Sequence, residues 1–381
     1  MAKRKMLLSK GNEALAEAAI QAGCRFYAGY PITPQNEIPE YLARRMPEVN
    51  GIFIQAESEI ASINMVYGAA AAGVRAMTSS SSPGVSLKQE AMSFLSGAEL
   101  PAVIVNIQRG GPGLGNITAS QGDYFQAVKG GGHGDYKCLV YSPWNVQEMW
   151  DLTMRAFDKA DQYRMAVIIL GDGMVGQMME PFHPTKYVRP ALPEKDWILD
   201  GCKGREPRVV RTLCMGPGEL ERHNLRLQKK YALLRKREVL SEAHDIEDAE
   251  LVVVAFGIAA RIALSAVKGL REEGRKVGLF RPVTLFPFPE KQLAAIAAGK
   301  KRFIVVEMNA GQMVEDVRLA VNGKSEVLFY GRPGGAVFNT EELHRKIKAA
   351  YPRTAGPNKR SGQSKGTVDA VRNKINKKPY H

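Results

Sequence analysis

Three short segments carry residue types that can grip an anion or move a proton. Tyr30-Pro31-Ile32-Thr33-Pro34 closes an apolar run, Cys24 to Tyr30, that reads as a strand. Thr33 and Pro34 are expected as N-cap and first helical residue, because proline there loses only an amide that a helix start leaves unpaired. The free N–H groups of that turn would seat a carboxylate or phosphate; the plainer alternative is a threonine that only caps a helix. Gln108-Arg109-Gly110-Gly111-Pro112-Gly113-Leu114-Gly115 follows a second apolar run, Pro101 to Ile107. Arg109 is therefore expected at the C-terminal edge of a strand, where open α/β sheets hold their ligands. A guanidinium at that edge offers a two-pronged grip on a carboxylate that lysine lacks, unless it is merely a surface arginine beside a Gly-rich turn.

The third segment, Ala56-Glu57-Ser58-Glu59, opens a helix expected from Glu57 to Ala72, with Ile60, Ile63 and Tyr67 on one face. Acidic residues are ordinary in a first turn, but Glu59 lies beside Ile60 and Ala61, and a partly buried carboxylate can share a proton with a nitrogen base. Thr78-Ser79-Ser80-Ser81-Ser82-Pro83-Gly84 is a hydroxyl-rich turn ahead of a helix, suited to bonding a polar ring or a carboxylate, and equally readable as a plain loop. In Gly130-Gly131-Gly132-His133-Gly134-Asp135, His133 is available for acid–base work or simply exposed on a loop. The spacings fit neither a dinucleotide fingerprint nor a phosphate loop.

These residues need strands and helices in alternation to position them. Asn12 is expected to cap an Ala-rich helix that stops at Gly23, and Ala166 to Leu170 reads as another buried parallel strand. From Glu180 to about Arg211 proline and charge dominate, and Leu220 to Glu238 is expected as a charged helix, so the region reads as a connector. Strands at Leu251 to Phe256, Phe303 to Glu307 and Val327 to Tyr330, with helices at Ala259 to Glu273 and Pro289 to Ala298, then suggest a smaller α/β unit. The 381 residues, 45% of them hydrophobic, suffice for two domains. No apolar run reaches the roughly 18 residues needed to span a bilayer and no signal peptide is recognised, so the expected location is cytoplasmic, without a membrane partner. Cys24, Cys138, Cys202 and Cys214 are too scattered for a metal or cluster motif. The net charge of +14 invites a nucleic-acid reading, but it is concentrated in a basic tail of low aromatic content and between Lys203 and Arg237; nucleic acid is not an expected partner.

Taken in order, YPITPQNEIPEY, QAESEIAS, TSSSSPG and QRGGPGLGN resemble the α subunit of 2-oxoacid:ferredoxin oxidoreductases, most closely the branched-chain (3-methyl-2-oxobutanoate, or 2-oxoisovalerate) type, over Lys5 to Tyr351. The resemblance implies an α/β fold: a thiamine-diphosphate pyrimidine-binding-type parallel-sheet domain at 1–185, a connector with a charged helix at 186–245 and a smaller transketolase C-terminal-like α/β domain at 246–351; the basic tail at 352–381 lies beyond it and is expected, from its charge, to be disordered. It implies oxidative decarboxylation of a 2-oxoacid to acyl-CoA, with electrons passed to ferredoxin. Partners would be a β subunit holding the thiamine diphosphate phosphates and Mg²⁺, a γ subunit, and a ferredoxin-like subunit with iron–sulfur clusters. That arrangement would explain why Gly171-Asp172-Gly173, which looks like the opening of a thiamine-diphosphate magnesium motif, lacks the asparagines that complete one.

Matched motif by motif, Glu59 falls where the family hydrogen-bonds the cofactor's pyrimidine ring, Thr33 and Arg109 where it binds the substrate carboxylate, and Ser80, Ser81 and Ser82 along the pyrimidine side. Gly113-Leu114-Gly115-Asn116 differs from the Ser-Thr-Gly usual after this motif in 2-oxoglutarate enzymes, which favours a branched monocarboxylic substrate, with 2-oxoglutarate or another 2-oxoacid as the alternative. A non-oxidative thiamine decarboxylase subunit is a further competing expectation.

Overall fold

Residues 6–352 are described by the computed structural model; the tail expected at 352–381 lies outside them except for Pro352. The chain opens with β1 (Leu7–Lys10), α1 (Gly11–Gln21), β2 (Phe26–Gly29), α2 (Glu37–Arg45), β3 (Ile52–Gln55), α3 (Glu59–Ala71), β4 (Ala76–Ser80), α4 (Ser82–Ser86), α5 (Gln89–Gly97) and β5 (Ala102–Gln108). It continues through β6 (Leu139–Tyr141), α6 (Val146–Tyr163), β7 (Ala166–Asp172), α7 (Gly173–Gln177) and β8 (Met179–Phe182). After the long connector come α8 (Glu219–Arg237), β9 (Ser241–His244), β10 (Leu251–Val254), α9 (Gly257–Glu272), β11 (Val277–Pro282), β12 (Thr284–Phe286), α10 (Glu290–Ala298), β13 (Arg302–Glu307), α11 (Met313–Val321), β14 (Val327–Gly331) and α12 (Thr340–Ala350).

The first sheet runs β12-β6-β7-β5-β4-β2-β3 and the second β14-β13-β10-β11-β9, while β1 pairs with β8. In the first sheet every pairing is parallel except that of β12 with β6. β5 and β7 lie side by side from Ala102 opposite Ala166 to Gln108 opposite Asp172, and every residue of both is buried. Helices cover both faces of such strands, so their apolar runs need no alternation. β12, from within the second stretch of sequence, completes the edge of the first sheet, and β9, from the end of the connector, pairs with β11 of the second.

Three local expectations are corrected. Asn12 does not cap α1; Lys10 does, and Asn12 is a buried residue of the first turn whose side chain donates to Pro34 O at 3.0 Å and Glu37 Oε2 at 2.8 Å. Thr33 and Pro34 do not open a helix: they form a turn, and α2 starts at Glu37 with Asn36 before it. The proline tolerated in the first turn is Pro39, so the seat at this helix start is taken by the chain's own Glu37 carboxylate. Ile60 is half exposed; the inward face of α3 is Glu59, Ser62, Ile63, Val66 and Ala70. The charged helix α8 buries Leu227, Tyr231 and Leu234.

Candidate functional site

β3, β2, β4 and β5 are neighbours in one parallel sheet, so their C-terminal ends share an edge. Glu59 begins the helix after β3, Thr33 lies in the loop after β2, Ser80 ends β4 and Arg109 follows β5. This parallel order gathers residues separated by up to 76 positions, as the Arg109 to Thr33 hydrogen bond shows.

Glu59 is only 6% exposed. Its helix is capped by Ser58, whose Oγ accepts from Ala61 N at 3.1 Å, and Ser62 Oγ donates to the Glu59 carbonyl at 2.9 Å, which fixes the first turn. The carboxylate lies against Gly84 of α4: a methyl group at Gly84 would collide with both Glu59 Oε1 and Ser80 Oγ, so only glycine leaves room for the two. Ser80 and Ser81 are fully buried, yet their hydroxyls have no hydrogen-bond partner among the described residues. Buried hydroxyls are rarely left so, and a ligand that bonds them would remove the penalty. Ser79 is already engaged, held between Tyr27 OH at 2.7 Å and Gln35 Oε1 at 2.5 Å.

Arg109 is 7% exposed. Its Nη1 donates to Thr33 O at 2.9 Å and its Nη2 to Leu114 O at 3.0 Å, which ties together the two loops expected to hold a carboxylate. Nε is buried without a partner among the described residues, so the guanidinium keeps donors in reserve. Thr33 Oγ1 accepts from Asn36 Nδ2 at 3.3 Å. Ser82 joins the two halves of the edge: its Oγ accepts from Arg109 N at 3.0 Å and donates to Asp123 Oδ2 at 2.6 Å, and its N–H donates to Asn106 Oδ1 at 3.1 Å. Burial raises the Asp123 carboxyl above its ordinary range, partly offset by bonds from Ser82 and Asn106. Beside this edge a cleft of about 450 Å³ opens between Ser82, the Gly111–Gly113 turn, Asp123, Asn309 and Gly334.

His133 is not brought into this group. It is exposed, with Nδ1 3.2 Å from Ser93 Oγ and its ring edge-on to Phe94. Asp172 serves as the N-cap of α7, accepting from Met174 N at 2.9 Å and Val175 N at 3.1 Å. Among the described residues no group of three or more His, Cys, Asp or Glu gathers in a way that could hold a metal ion.

Sequence reasoning missed Lys88, Asn106, Gln35 and Asp123. Lys88 is the most consequential: it is fully buried, and its Nζ donates to Ser62 Oγ at 2.5 Å and Thr78 Oγ1 at 2.9 Å, with the Glu59 carbonyl at 3.4 Å. Burial pulls its pKa down to about 7 against the raising pull of Glu59. The one sequence signal that could have pointed to it is its place just after the hydroxyl-rich TSSSSPG segment.

A family model described as pyruvate flavodoxin/ferredoxin oxidoreductase, thiamine diphosphate-binding, matches residues 17–208, and one described as pyruvate:ferredoxin oxidoreductase core domain II matches 249–343. The chain is 51% identical over 339 residues to the ketoisovalerate oxidoreductase subunit VorB of Methanothermobacter thermautotrophicus, covering 89% of this chain and 96% of that protein. It is 38% identical over 368 residues to the 2-oxoglutarate synthase subunit KorA of the same organism, covering 89% and 97%. Among solved structures, the 2-oxoglutarate:ferredoxin oxidoreductase from Magnetococcus marinus, with 2-oxoglutarate, coenzyme A and succinyl-CoA bound, superposes with a TM-score of 0.83 at 26% identity, over 92% of this chain and 66% of that one. A split-gene transketolase shares the fold at a TM-score of 0.57 and 14% identity, over 90% of this chain and 98% of that one. The α/β layout is thus that of a thiamine-diphosphate pyrimidine-binding-type domain followed by a transketolase C-terminal-like domain, and the chain belongs to the 2-oxoacid:ferredoxin oxidoreductase family as a subunit of the α type.

Proposed function

We propose that this chain is the α subunit of an enzyme that oxidatively decarboxylates a branched-chain 2-oxoacid to acyl-CoA and passes the electrons to ferredoxin. The observation that carries the reading is the buried Glu59 carboxylate with the unsatisfied Ser80 hydroxyl beside it, on the strand edge that also holds Thr33 and Arg109, in a chain 51% identical to a ketoisovalerate oxidoreductase subunit.

The residues fit thiamine diphosphate. An aminopyrimidine is flat and carries ring nitrogens and an amino group, which matches a buried carboxylate with the free Ser80 hydroxyl beside it and a second free hydroxyl on Ser81. The cofactor when bound supplies the electron sink for decarboxylation. Glu59 Oε holds or releases the proton it shares with the ring, and Ser80 and Ser81 orient it; Ser82 anchors the turn rather than facing the ring, since its hydroxyl is engaged with Arg109 and Asp123. Thr33 and Arg109 position the 2-oxoacid carboxylate, for which Arg109 retains the unpartnered Nε donor. The residues lining the cleft beside Ser82 include no cation to pair with a second substrate carboxylate, and this supports a monocarboxylic substrate over 2-oxoglutarate.

The proposed partners are a β subunit for the cofactor's phosphates and Mg²⁺, a γ subunit, and a ferredoxin-like subunit with iron–sulfur clusters; coenzyme A and ferredoxin complete the reaction. The proposed location is the cytoplasm; among the described residues no helix is long and apolar enough to cross a membrane. The proposed division of the chain follows the boundaries at 185, 245 and 351. Co-purification of the complex, followed by viologen reduction with 2-oxoisovalerate, 2-oxoglutarate and pyruvate, each with and without CoA, is the direct assay. The expected outcome is CoA-dependent preference for 2-oxoisovalerate and a fall in turnover of about 10²-fold or more for Glu59→Gln, the usual scale of a lost acid–base group. Normal turnover in the Glu59→Gln complex refutes the role of Glu59.

A further inference from the structure

Part of the positive charge between Lys203 and Arg237 gathers around one cleft of about 670 Å³. Its walls come from the end of α5 at Gly97 to Glu99, from Arg164 just ahead of β7, and from Arg211, Arg222 and Arg226 of the connector and α8. α5 and α6 lead into β5 and β7, so the cleft opens at the N-terminal edge of the sheet, opposite the edge that holds Glu59, Thr33 and Arg109. β5 is 7 residues long, which separates the two edges by about 20 Å. Two carboxylates line the cleft and both are taken. Glu219 bonds Arg211 at 2.7 Å and accepts from Gly216 N at 3.1 Å, and Glu99 is joined to Lys230. Arg164, Arg222 and Arg226 have no acid of their own among the described residues. Arg164 spends Nε on the Glu99 carbonyl at 3.2 Å and lies over Trp197 at 4.9 Å, Arg222 spends Nη1 on the Pro217 carbonyl at 3.3 Å, and Arg226 spends Nη2 on His223 Nδ1 at 2.8 Å. Because arginine keeps its proton, His223 Nδ1 is the acceptor in that bond and the ring hydrogen sits on Nε2, which is buried without a partner among the described residues. Arg222 and His223 lie one turn into α8, where the helix dipole is already positive. Donors crowded in this way are matched by an anion with several acceptor oxygens.

A second cavity, of about 230 Å³, shares Gly97 and His223 with the first. Its lining is of rings and apolar side chains, Phe94, Tyr136, Leu220 and Leu227, with His133 edge-on to Phe94. Asn224 and Asp135 add polar groups that a base or sugar edge can bond. The Gly130 to Asp135 loop, whose histidine stands apart from the catalytic edge, thus closes a chamber beside the arginines. We propose that the two cavities form one binding site for a phosphorylated nucleoside, with the phosphates on Arg164, Arg222 and Arg226 and the base in the chamber walled by Phe94 and Leu220. The larger cavity alone is within the size range of small-molecule sites, and the pair offers what such a ligand carries: multiple negative charge at one end and a flat, partly apolar ring at the other. An acidic protein segment would satisfy the arginines and leave the chamber empty.

The assembled complex, loaded with thiamine diphosphate so that the cofactor's own phosphate site is filled, is titrated by calorimetry with ADP, pyrophosphate and adenosine. ADP is expected to bind about tenfold or more tightly than either fragment, since each fragment reaches one cavity only. Arg222→Gln and Arg226→Gln are each expected to weaken ADP about tenfold, the scale of a lost charge-assisted contact. Lys229→Gln removes the same charge from an exposed position of α8 that does not line the cleft, and is expected to leave the affinity unchanged. Leu220 is half exposed, so Leu220→Trp fills the chamber without disturbing the core; ADP is then expected to bind no better than pyrophosphate, while pyrophosphate binds as before. ADP affinity that survives both arginine variants, or absent binding at millimolar ADP, overturns the proposal. So does pyrophosphate that binds wild type as tightly as ADP, a result that assigns the arginines to an acidic protein segment instead. An equal loss of ADP affinity in Lys229→Gln overturns it as well, because the attraction would then be the general charge of α8.

Discussion

Ser80 separates what the site costs the fold from what it gives a ligand. Its hydroxyl is fully buried and finds no partner among the described residues, whereas the neighbouring Ser79 is hydrogen-bonded on both sides. Removing an unsatisfied buried polar atom relieves a penalty of about 1–3 kcal/mol, less the small void that remains. Ser80→Ala is therefore expected to melt at the wild-type temperature or a few degrees above it, while the complex binds thiamine diphosphate several-fold more weakly. A drop in melting temperature would mean that the hydroxyl serves the fold. Ser79→Ala is the contrast, since it strands Tyr27 and Gln35. At this scale the types of the site residues were legible: a glutamate at a helix start, an arginine after a strand, a run of serines. Lys88 was not, because Leu87-Lys88 reads as an apolar residue followed by a solvated one, and the fold inverts this, with Leu87 50% exposed and Lys88 0%. That inversion depends on Ser62 and Thr78, which only tertiary packing brings near.

The loop that carries Thr33 is held by helix starts. Asn12, inside the first turn of α1, donates to the Pro34 carbonyl and to Glu37, the first residue of α2, and Lys10 joins Glu37 at 3.1 Å. Burial opposes the Glu37 charge, but these partners hold its carboxyl below the usual range, so α2 begins with a fixed anion at its positive end. Asn12→Ala leaves a buried carbonyl and a half-buried carboxylate short of donors, a loss of about 1–3 kcal/mol. It also frees the loop whose Thr33 carbonyl bonds Arg109, so KM for the 2-oxoacid is expected to rise with little change in kcat. Thermal melts and steady-state kinetics on the same complex read both effects, and an unchanged KM would show that Arg109 and Leu114 suffice to hold the loop. The sequence pointed to this loop for a reason that did not hold. Two prolines five residues apart, Pro34 and Pro39, both suit the first turn of a helix, and local preference cannot choose between them. The choice is made by Asn12, 22 residues upstream of Pro34. By contrast β5 and β7 were legible almost to the residue, because strands buried on both faces need only an uninterrupted apolar run.

Across the whole molecule, two buried groups join the sheets. Arg281 of β11 reaches Glu148 of α6 at 2.8 Å and lies over Trp144 at 4.0 Å, and Asp172, at the end of β7, faces the start of α9 with Ile258 N 3.4 Å away. Neither link follows from local sequence, since each joins residues at least 86 positions apart. Asp172 makes this junction respond to pH. Burial raises its pKa from 3.8 to about 6, against the lowering effect of the amide bonds from Val175, Ile258 and Met174. The folded chain therefore binds a proton more tightly than the unfolded chain between those two values. Stability from this group is fully present below about pH 4 and is lost as pH rises through 6, the reverse of a salt-bridged carboxylate. A shift of roughly two units corresponds to about 3 kcal/mol across that window. Asp172→Asn cannot titrate and lacks this contribution to the pH dependence, whatever its effect on absolute stability. Melting curves of the purified subunit and of Asp172→Asn, recorded from pH 4 to 7.5, are expected to diverge steadily, with wild type losing several degrees relative to the variant as pH rises. Parallel curves would place the proton elsewhere, and Asp172 would then be a fixed anion that caps α7 and leaves the junction to Arg281.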